Sequence, residues 1–221
     1  MFAPPPLVGT LLVVVFGALA ITGAETGRRV LLYLGKPAAT LSLLLIVGMP
    51  PGDRFATMIT VGILFNLLGD IFLLSDADLP FMIAVPLVLT GHIFYTVAFF
   101  GAAASGGWWP LPWPSFVIAV FTVSLVVLLW PGLGIMKIPV LVYALAITTM
   151  VVSALKTVGG PLSPLAAGLA VVGAMLFYLS DSNLAWNRFR HPYAHAAAVT
   201  LSTYWLGQLG IAWSSRLASG G

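Results

Sequence analysis

Four ionisable side chains lie inside long apolar runs of this sequence. Asp181 follows the apolar run from Leu165 to Met175. A carboxylate at membrane depth costs roughly 2.5–3.5 kcal/mol even on lenient insertion scales, so it persists mainly where it faces a protein interior or a wet cavity. The polar residues next to it are Ser180, Ser182 and Asn183. The other three ionisable groups of this kind are Lys36, Asp70 and His92, each in a different run.

This set of residue types is suited to acid/base chemistry. Two carboxyl groups with different proton affinities can act as a general acid and a general base. A lysine beside one of them favours its charged form. We therefore predict that the chain is a scaffold that brings Asp70, Asp181 and Lys36 together, with His92 as a possible proton relay.

The composition is that of a membrane protein. Of 221 residues, 60% are hydrophobic and 7% are charged, and the mean hydropathy is +1.08; soluble domains are about 25% charged. The net charge is +3, but the nine basic residues are spread over short loops and form no cluster that would bind nucleic acid. We expect them to set the membrane topology and to contact lipid phosphates. The absence of cysteine excludes disulfides, thiolate catalysis and cysteine-based metal sites.

The apolar runs predict an all-α transmembrane bundle of about eight helices, forming a single integral membrane domain over residues 1–221. A spanning helix needs about 20 mostly apolar residues. Such runs lie at about 7–24, 30–49, 55–75, 80–102, 115–130, 138–155, 162–184 and 194–214. Ala18-Leu-Ala20 resembles a signal-peptidase site, but Met1–Pro6 contains no basic residue, so we expect the first helix to be retained.

Alternating loops predict that four connections share one end of the bundle. These are 25–29, 75–79, 131–137 and 185–193, and we call this end the basic face because it holds five of the basic residues against three at the other end. Its members are Arg28, Arg29, Lys137, Arg188 and Arg190. The bias places the basic face in the cytoplasm, and the loop-poor chain suggests a bacterial inner membrane.

The polar residues form stripes on five helices, all in the half of the bilayer nearer the basic face or at its middle. Side chains three or four residues apart share a helix face, so we expect Asn66 to orient Asp70. By the same spacing, Tyr178 and Ser182 would orient Asp181 or a water. The remaining substrate-binding or orienting candidates are His92, Tyr95, Asn183, Tyr204 and Gln208.

Each of these residues also has a purely structural interpretation. Lys36 could extend to the membrane surface from a helix start, and Asp70 or Asp181 could be a solvated or capping carboxylate at a helix end. His92 could be a hydrogen-bonded interior histidine, and Tyr204 with Gln208 could link helices. The pair His191 and His195 could bind a metal, although no third ligand lies nearby in the sequence.

At these positions the sequence resembles the YhhN family of membrane proteins, which includes the lysoplasmalogenases. The matching segments run through nearly the whole chain in the family's order. They are Gly35-Lys-Pro37, Leu68-Gly-Asp70, Gly91-His-Ile-Phe-Tyr95, Tyr178-Leu-Ser-Asp181, Asn187-Arg-Phe189, and Tyr204 with Gln208. The resemblance implies a bundle of about eight helices. It also implies hydrolysis of the vinyl ether bond of a lysophospholipid, which releases a fatty aldehyde and glycerophosphoethanolamine or glycerophosphocholine.

That chemistry suits the predicted residues. A proton delivered to the carbon beta to the ether oxygen makes an oxocarbenium ion, water captures it, and the hemiacetal collapses. Asp70 and Asp181 would be the acid/base pair, in an order that the sequence leaves open, and no metal or organic cofactor is needed. An arginine at the basic face could hold the phosphate. The candidates for this role are Arg28, Arg29, Arg188 and Arg190.

Two other classes of function fit the same pattern. A proton-coupled carrier would also bury aspartate, lysine and histidine, and a membrane protein could bind lipid without chemistry. Aldehyde release separates an enzyme from both, whereas proton-coupled uptake would identify the carrier. The sequence leaves the oligomeric state open.

Overall fold

The computed structural model describes residues 6–48, 52–75, 77–104, 107 and 110–219. These residues form eight α-helices and no β-strand, which confirms the prediction of an all-α bundle. The helices are α1 (Pro6–Thr26), α2 (Arg29–Ser42), α3 (Arg54–Phe72), α4 (Asp78–Gly101), α5 (Pro114–Leu129), α6 (Lys137–Leu155), α7 (Pro164–Phe189) and α8 (Ala196–Ala218). Parts of three predicted loops and the first five residues lie outside the described residues. Within the loops these are Pro50, Pro51, Asp76, Gly106, Trp108 and Trp109.

Six helices in the described part of the chain are long and apolar enough to cross a membrane, namely α1 and α3 to α7. The protein is an integral, multi-pass membrane protein. The other two predicted spans, α2 and α8, are not among these six. With 14 residues, α2 is about 21 Å long, shorter than the ~30 Å hydrocarbon core. The longer α8 packs against α1, α2, α3 and α7, and its Tyr204 and Gln208 side chains are buried.

The largest difference from the predicted boundaries is the end of α7. The apolar run predicts an end near residue 184, whereas the helix continues to Phe189. Hydropathy falls where polar residues begin, but these residues stay helical because they find partners in the next segment. For example, Asn183 donates to the Thr200 hydroxyl at 2.7 Å. Asp181 therefore lies about two turns inside α7 and is no helix-ending residue.

Two ion pairs place three of the four predicted basic-face connections at one end of the bundle. Arg188 pairs with Asp78 across 2.7 Å, which joins the end of α7 to the start of α4. His195 pairs with Glu25 across 2.5 Å, which joins the start of α8 to the end of α1. The assignment of this face to the cytoplasm stays a prediction.

Close packing of α7 against α8 sets the position of the polar residues that both helices carry. A Cβ added at Gly173 would lie 2.7 Å from the Gly207 carbonyl oxygen, so only glycine allows the two backbones to approach this closely. Small residues have this role at many helix interfaces in membranes. The approach places Tyr204 and Gln208 of α8 beside the face of α7 that carries Asp181.

Candidate active site

A cavity of about 570 Å³ opens between the helices and reaches the basic face. Its walls come mainly from apolar side chains such as Leu32, Val88 and Leu201. The polar and charged side chains that line it come from five helices and the α3–α4 connection. They are Lys36, Asp70, Ser75, Tyr143, Ser180, Asp181, Asn187, Arg188, Thr200 and Tyr204. The structure thus brings all three predicted catalytic residues, Lys36, Asp70 and Asp181, to one cavity.

Asp70 is held by one cation and two hydroxyl donors. Lys36 Nζ lies 3.3 Å from Oδ1, while the hydroxyls of Thr40 and Tyr204 donate to Oδ2 at 2.6 and 2.8 Å. Asp70 is 3% exposed and Lys36 6%. A carboxyl group that accepts hydrogen bonds on Oδ2 and faces a cation at Oδ1 is arranged as a carboxylate. These contacts contradict the alternatives of an extended Lys36 and a solvated Asp70.

A chain of hydrogen bonds leads from Asn66 to Asp70. Asn66 Nδ2 donates to the Tyr95 hydroxyl at 3.2 Å, and that hydroxyl donates to Gln208 Oε1 at 2.6 Å. Gln208 Nε2 donates to the Tyr204 hydroxyl at 3.2 Å, which in turn donates to Asp70. Every donor in this chain points towards the carboxylate, which fixes the orientation of each group.

The expected direct contact between Asn66 and Asp70 is therefore wrong. Their four-residue spacing places them on one helix face, but the Asn66 amide turns towards α4, where Gly91 leaves room for it. A Cβ added at Gly91 would lie 2.7 Å from Asn66 Oδ1. Asn66 is thus linked to Asp70 only through the chain that includes Tyr95 and Gln208.

Asp181 forms a second, different centre. Its Oδ2 lies 3.1 Å from His92 Nε2 and accepts a short hydrogen bond from the Tyr143 hydroxyl. The other ring nitrogen, Nδ1, faces the Val88 carbonyl oxygen at 2.8 Å. A carbonyl only accepts, so Nδ1 must carry a proton, and a neutral His92 would present the lone pair of Nε2 to Asp181. A hydrogen bond between Nε2 and Oδ2 therefore requires one further proton, on the imidazole or on the carboxyl group.

Three other predicted residues form hydrogen bonds away from the two carboxyl groups. Tyr178 turns towards α5, where its hydroxyl lies 2.6 Å from the Thr122 hydroxyl. Ser182 donates back to the Tyr178 carbonyl at 2.7 Å, as helix serines often do. The expectation that these two orient Asp181 is wrong. Asn183 links α7 to α8 through Thr200 and the Ala196 carbonyl and does not line the cavity.

Sequence reasoning missed two residues that touch the carboxyl groups. Thr40 lies four residues after Lys36, so the helix spacing applied to other pairs would have found it. Tyr143 carries the only phenol in α6, and one phenol in a mostly apolar helix is a weak signal. The contact with Asp181 depends on how α6 packs against α4 and α7.

The predicted histidine pair at the basic face does not form a metal site in the structure. His195 Nδ1 bonds to Glu25, and His191 Nδ1 lies 3.0 Å from the Pro192 carbonyl oxygen. No group of three or more potential ligands among His, Cys, Asp and Glu occurs in the described residues.

Comparison with known proteins places the chain in a family. The model of the YhhN family matches residues 31–215. Human lysoplasmalogenase TMEM86A is 32% identical over 72% of this chain and 65% of its own length, so the chain spans just under two thirds of that relative. Lysoplasmalogenase TMEM86B from Sus scrofa is 29% identical over 80% of this chain and 71% of its own length. No solved structure matches the chain. The protein belongs to the YhhN family.

Proposed function

We propose that this protein is a membrane-embedded hydrolase that cleaves the vinyl ether bond of lysoplasmalogens. The names of its relatives support the reaction. The observation that carries the proposal is that two carboxyl groups with different hydrogen-bond and ion-pair partners line one mostly apolar cavity. Asp70 faces a lysine and two hydroxyl donors, whereas Asp181 faces a histidine nitrogen with which it can share a proton.

The first step uses the shared proton. Asp181 and His92 deliver it to the vinyl carbon beta to the ether oxygen, and the electron pair of the double bond forms the new carbon–hydrogen bond. The positive charge that develops on the adjacent carbon and the ether oxygen is stabilised by the Asp70 carboxylate. A fixed opposite charge in a low-dielectric site is the usual source of such stabilisation.

The second step uses Asp70 as the base. A water adds to the oxocarbenium carbon, and its proton passes to Asp70, whose Oδ2 also accepts hydrogen bonds from Tyr204 and Thr40. The hemiacetal collapses by breaking the bond between the former vinyl carbon and the glycerol oxygen. The glycerol oxygen takes up one proton and the aldehyde leaves, so one water is consumed in total. The proton for the glycerol oxygen comes from Asp70, and the hydroxyl proton of the hemiacetal returns to Asp181 and His92, which restores both centres.

The cavity suits an amphiphilic substrate. Its apolar walls would take the alkenyl chain, since burial of each CH₂ group contributes about 0.8 kcal/mol. Its polar end lies at the basic face, where Ser75 and Arg188 line it. Membrane lipids therefore supply both the surroundings and the substrate, and the proposed chemistry requires no cofactor.

The alternative of a proton-coupled carrier has less support in the fold. Carriers of that class commonly form their ion sites at breaks in transmembrane helices. Here α3 and α7 continue without a break through Asp70 and Asp181. Buried charged groups on unbroken helices around a cavity are better suited to a reaction.

The test is product analysis with purified protein. We expect fatty aldehyde release from 1-alkenyl lysophosphoethanolamine and no fatty acid release from the 1-acyl analogue. Fatty acid from the acyl lipid would identify an esterase instead. No product from either lipid, together with proton-coupled uptake of a solute into liposomes, would identify a carrier.

A further inference from the structure

Arg188 belongs to the same face of α7 as Asp181. The two residues are seven positions apart, which is two helical turns, and both line the cavity. At 1.5 Å per residue, Arg188 lies about 10 Å further along the helix axis, towards the basic face. The guanidinium and the reacting centre thus lie at opposite ends of one continuous wall.

Arg188 is the cation of the cavity wall that remains available to a ligand. The other cation among the described lining residues is Lys36, which faces Asp70. The remaining arginines of the basic face are exposed and do not line the cavity. They are Arg28, Arg29 and Arg190.

An aromatic contact holds the Arg188 guanidinium in place, whereas its ion pair is exposed and can be exchanged. Its guanidinium carbon lies 4.0 Å from the centre of the Phe81 ring, and Phe81 packs edge-on against Phe189. Its ion-pair partner is Asp78, at 2.7 Å. The Arg188 side chain is 25% exposed, whereas that of Asp78 is 94% exposed. An exposed ion pair contributes little to stability, so a stronger anion can replace this carboxylate.

The distance between Asp181 and Arg188 matches the proposed substrate. In a lysoplasmalogen, seven bonds separate the vinyl carbon that is protonated from the phosphorus atom. An extended chain advances about 1.2 Å per bond, which gives roughly 8 Å. A substrate whose vinyl carbon lies at Asp181 would therefore place its phosphate within reach of the Arg188 side chain.

We propose that Arg188 binds the phosphate of the lysophospholipid headgroup and that Asp78 is the carboxylate which this phosphate displaces. The planar guanidinium can make two parallel hydrogen bonds to phosphate oxygens. Phe81 holds it in the orientation that faces the cavity. This inference rests on the proposed function, and it names the subsite that makes the enzyme select a phospholipid over a neutral ether lipid.

The experiment measures binding, so that it is independent of turnover. The probe is 1-O-alkyl lysophosphoethanolamine, whose saturated ether cannot be hydrolysed through a vinyl carbon, and titration calorimetry of the full-length protein in detergent gives its Kd. The comparison ligands are 1-O-alkylglycerol, which lacks the phosphate, and glycerol 3-phosphate, which lacks the chain. Loss of hydrolysis with intact Arg188-dependent binding would overturn the proposed function and leave this subsite supported.

We expect Arg188→Gln to weaken binding of the phosphate-bearing lipid by about ten- to a hundred-fold, the range for a hydrogen bond to a charged group. Binding of 1-O-alkylglycerol should not change. Arg190→Gln is the matched control, because Arg190 is an exposed arginine two residues away that does not line the cavity, and it should leave both ligands unaffected. Equal effects of Arg188→Gln on both lipids, or no effect on either, would overturn the proposal.

Asp78→Asn provides a second, independent test at a side chain that is 94% exposed. Removal of the competing carboxylate should tighten binding of the phosphate-bearing lipid by about two- to five-fold and leave 1-O-alkylglycerol unchanged. Unchanged or weaker binding of the phospholipid would contradict displacement. Glycerol 3-phosphate distinguishes the source of the phosphate: if it binds as tightly as the lipid, the subsite serves a soluble phosphate and the headgroup assignment is overturned.

Discussion

His92 of α4 and Asp181 of α7 lie within hydrogen-bond distance of each other, although 89 residues separate them in the chain. The distance from Nε2 to Oδ2 is 3.1 Å, and the Val88 carbonyl oxygen, 2.8 Å from Nδ1, fixes the tautomer. Asp70 differs because its partners are Lys36 and two hydroxyl donors. We propose that this difference in partners makes Asp181 the side that gives a proton and Asp70 the side that receives one.

His92→Gln should lower kcat for aldehyde release by about 10²- to 10⁴-fold, the usual contribution of general acid catalysis. Glutamine can still donate a hydrogen bond to Asp181, but it cannot transfer a proton. His191→Gln is the control, since His191 is exposed and does not line the cavity. Wild-type kcat in His92→Gln would exclude a proton shared with the histidine as the source of the acid.

Asp70→Asn and Asp181→Asn should each abolish turnover in detergent-purified protein that stays folded. Asparagine keeps the size of each side chain but can neither accept the water proton nor give one to the vinyl carbon. Thermal unfolding curves establish that each variant folds. If either variant retains a rate near that of the wild type, the two aspartates are not the acid/base pair.

Lys36→Met should destabilise the protein by about 3–5 kcal/mol, because it leaves Asp70 as an unpaired buried charge. The double variant Lys36→Met, Asp70→Asn removes both charges and should recover part of that loss. The free energy of unfolding in detergent measures the coupling. Additive losses in the double variant would mean that the two side chains do not form the buried pair.

Tyr143→Phe should reduce kcat by roughly ten-fold, as expected for the loss of one hydrogen bond to a charged or proton-sharing group. KM should change little, because the phenol contacts Asp181 and not the headgroup end of the cavity. Tyr33→Phe is the matched control, since Tyr33 is 45% exposed and lies outside the cavity. An equal loss in both variants, or a change confined to KM, would argue against a positioning role for Tyr143.

Gly91→Ala should destabilise the protein by about 1–3 kcal/mol, the range for overpacking a filled core. The new Cβ would meet Asn66 Oδ1 at 2.7 Å and disturb the chain of hydrogen bonds that ends at Asp70. Gly168→Ala is the control, because nothing lies within 4 Å of a Cβ at that helical position, and alanine there favours the helix. Equal stability of the two variants would show that Asn66 has room to move.

The sequence predicted the helices well, because apolar runs of membrane length leave few other solutions. It also predicted that Lys36, Asp70 and Asp181 converge, since the cost of isolated charges at depth favours their pairing. It failed for the partners of Asn66, Tyr178 and Ser182. Spacing along one helix says which residues share a face, but neighbouring helices decide which groups these side chains reach.

The partners of Asp181 could not be predicted for the same reason. Tyr143 and His92 come from α6 and α4, and their distances to Asp181 depend on how three helices pack. The end of α7 was also missed, because hydropathy marks where lipid contact ends and not where the helix ends. The Arg188–Asp78 pair at the mouth of the cavity exists only because α7 continues to that point.

In the proposed mechanism, a proton from Asp181 and His92 is added to the vinyl carbon before water enters. The most direct test is hydrolysis of 1-alkenyl lysophosphoethanolamine in D₂O, with the aldehyde trapped by reduction as it forms and analysed by mass spectrometry. The account predicts one deuterium on carbon 2 of the aldehyde, and no product from Asp181→Asn. Aldehyde without deuterium at that carbon, or undiminished release by Asp181→Asn, would contradict it.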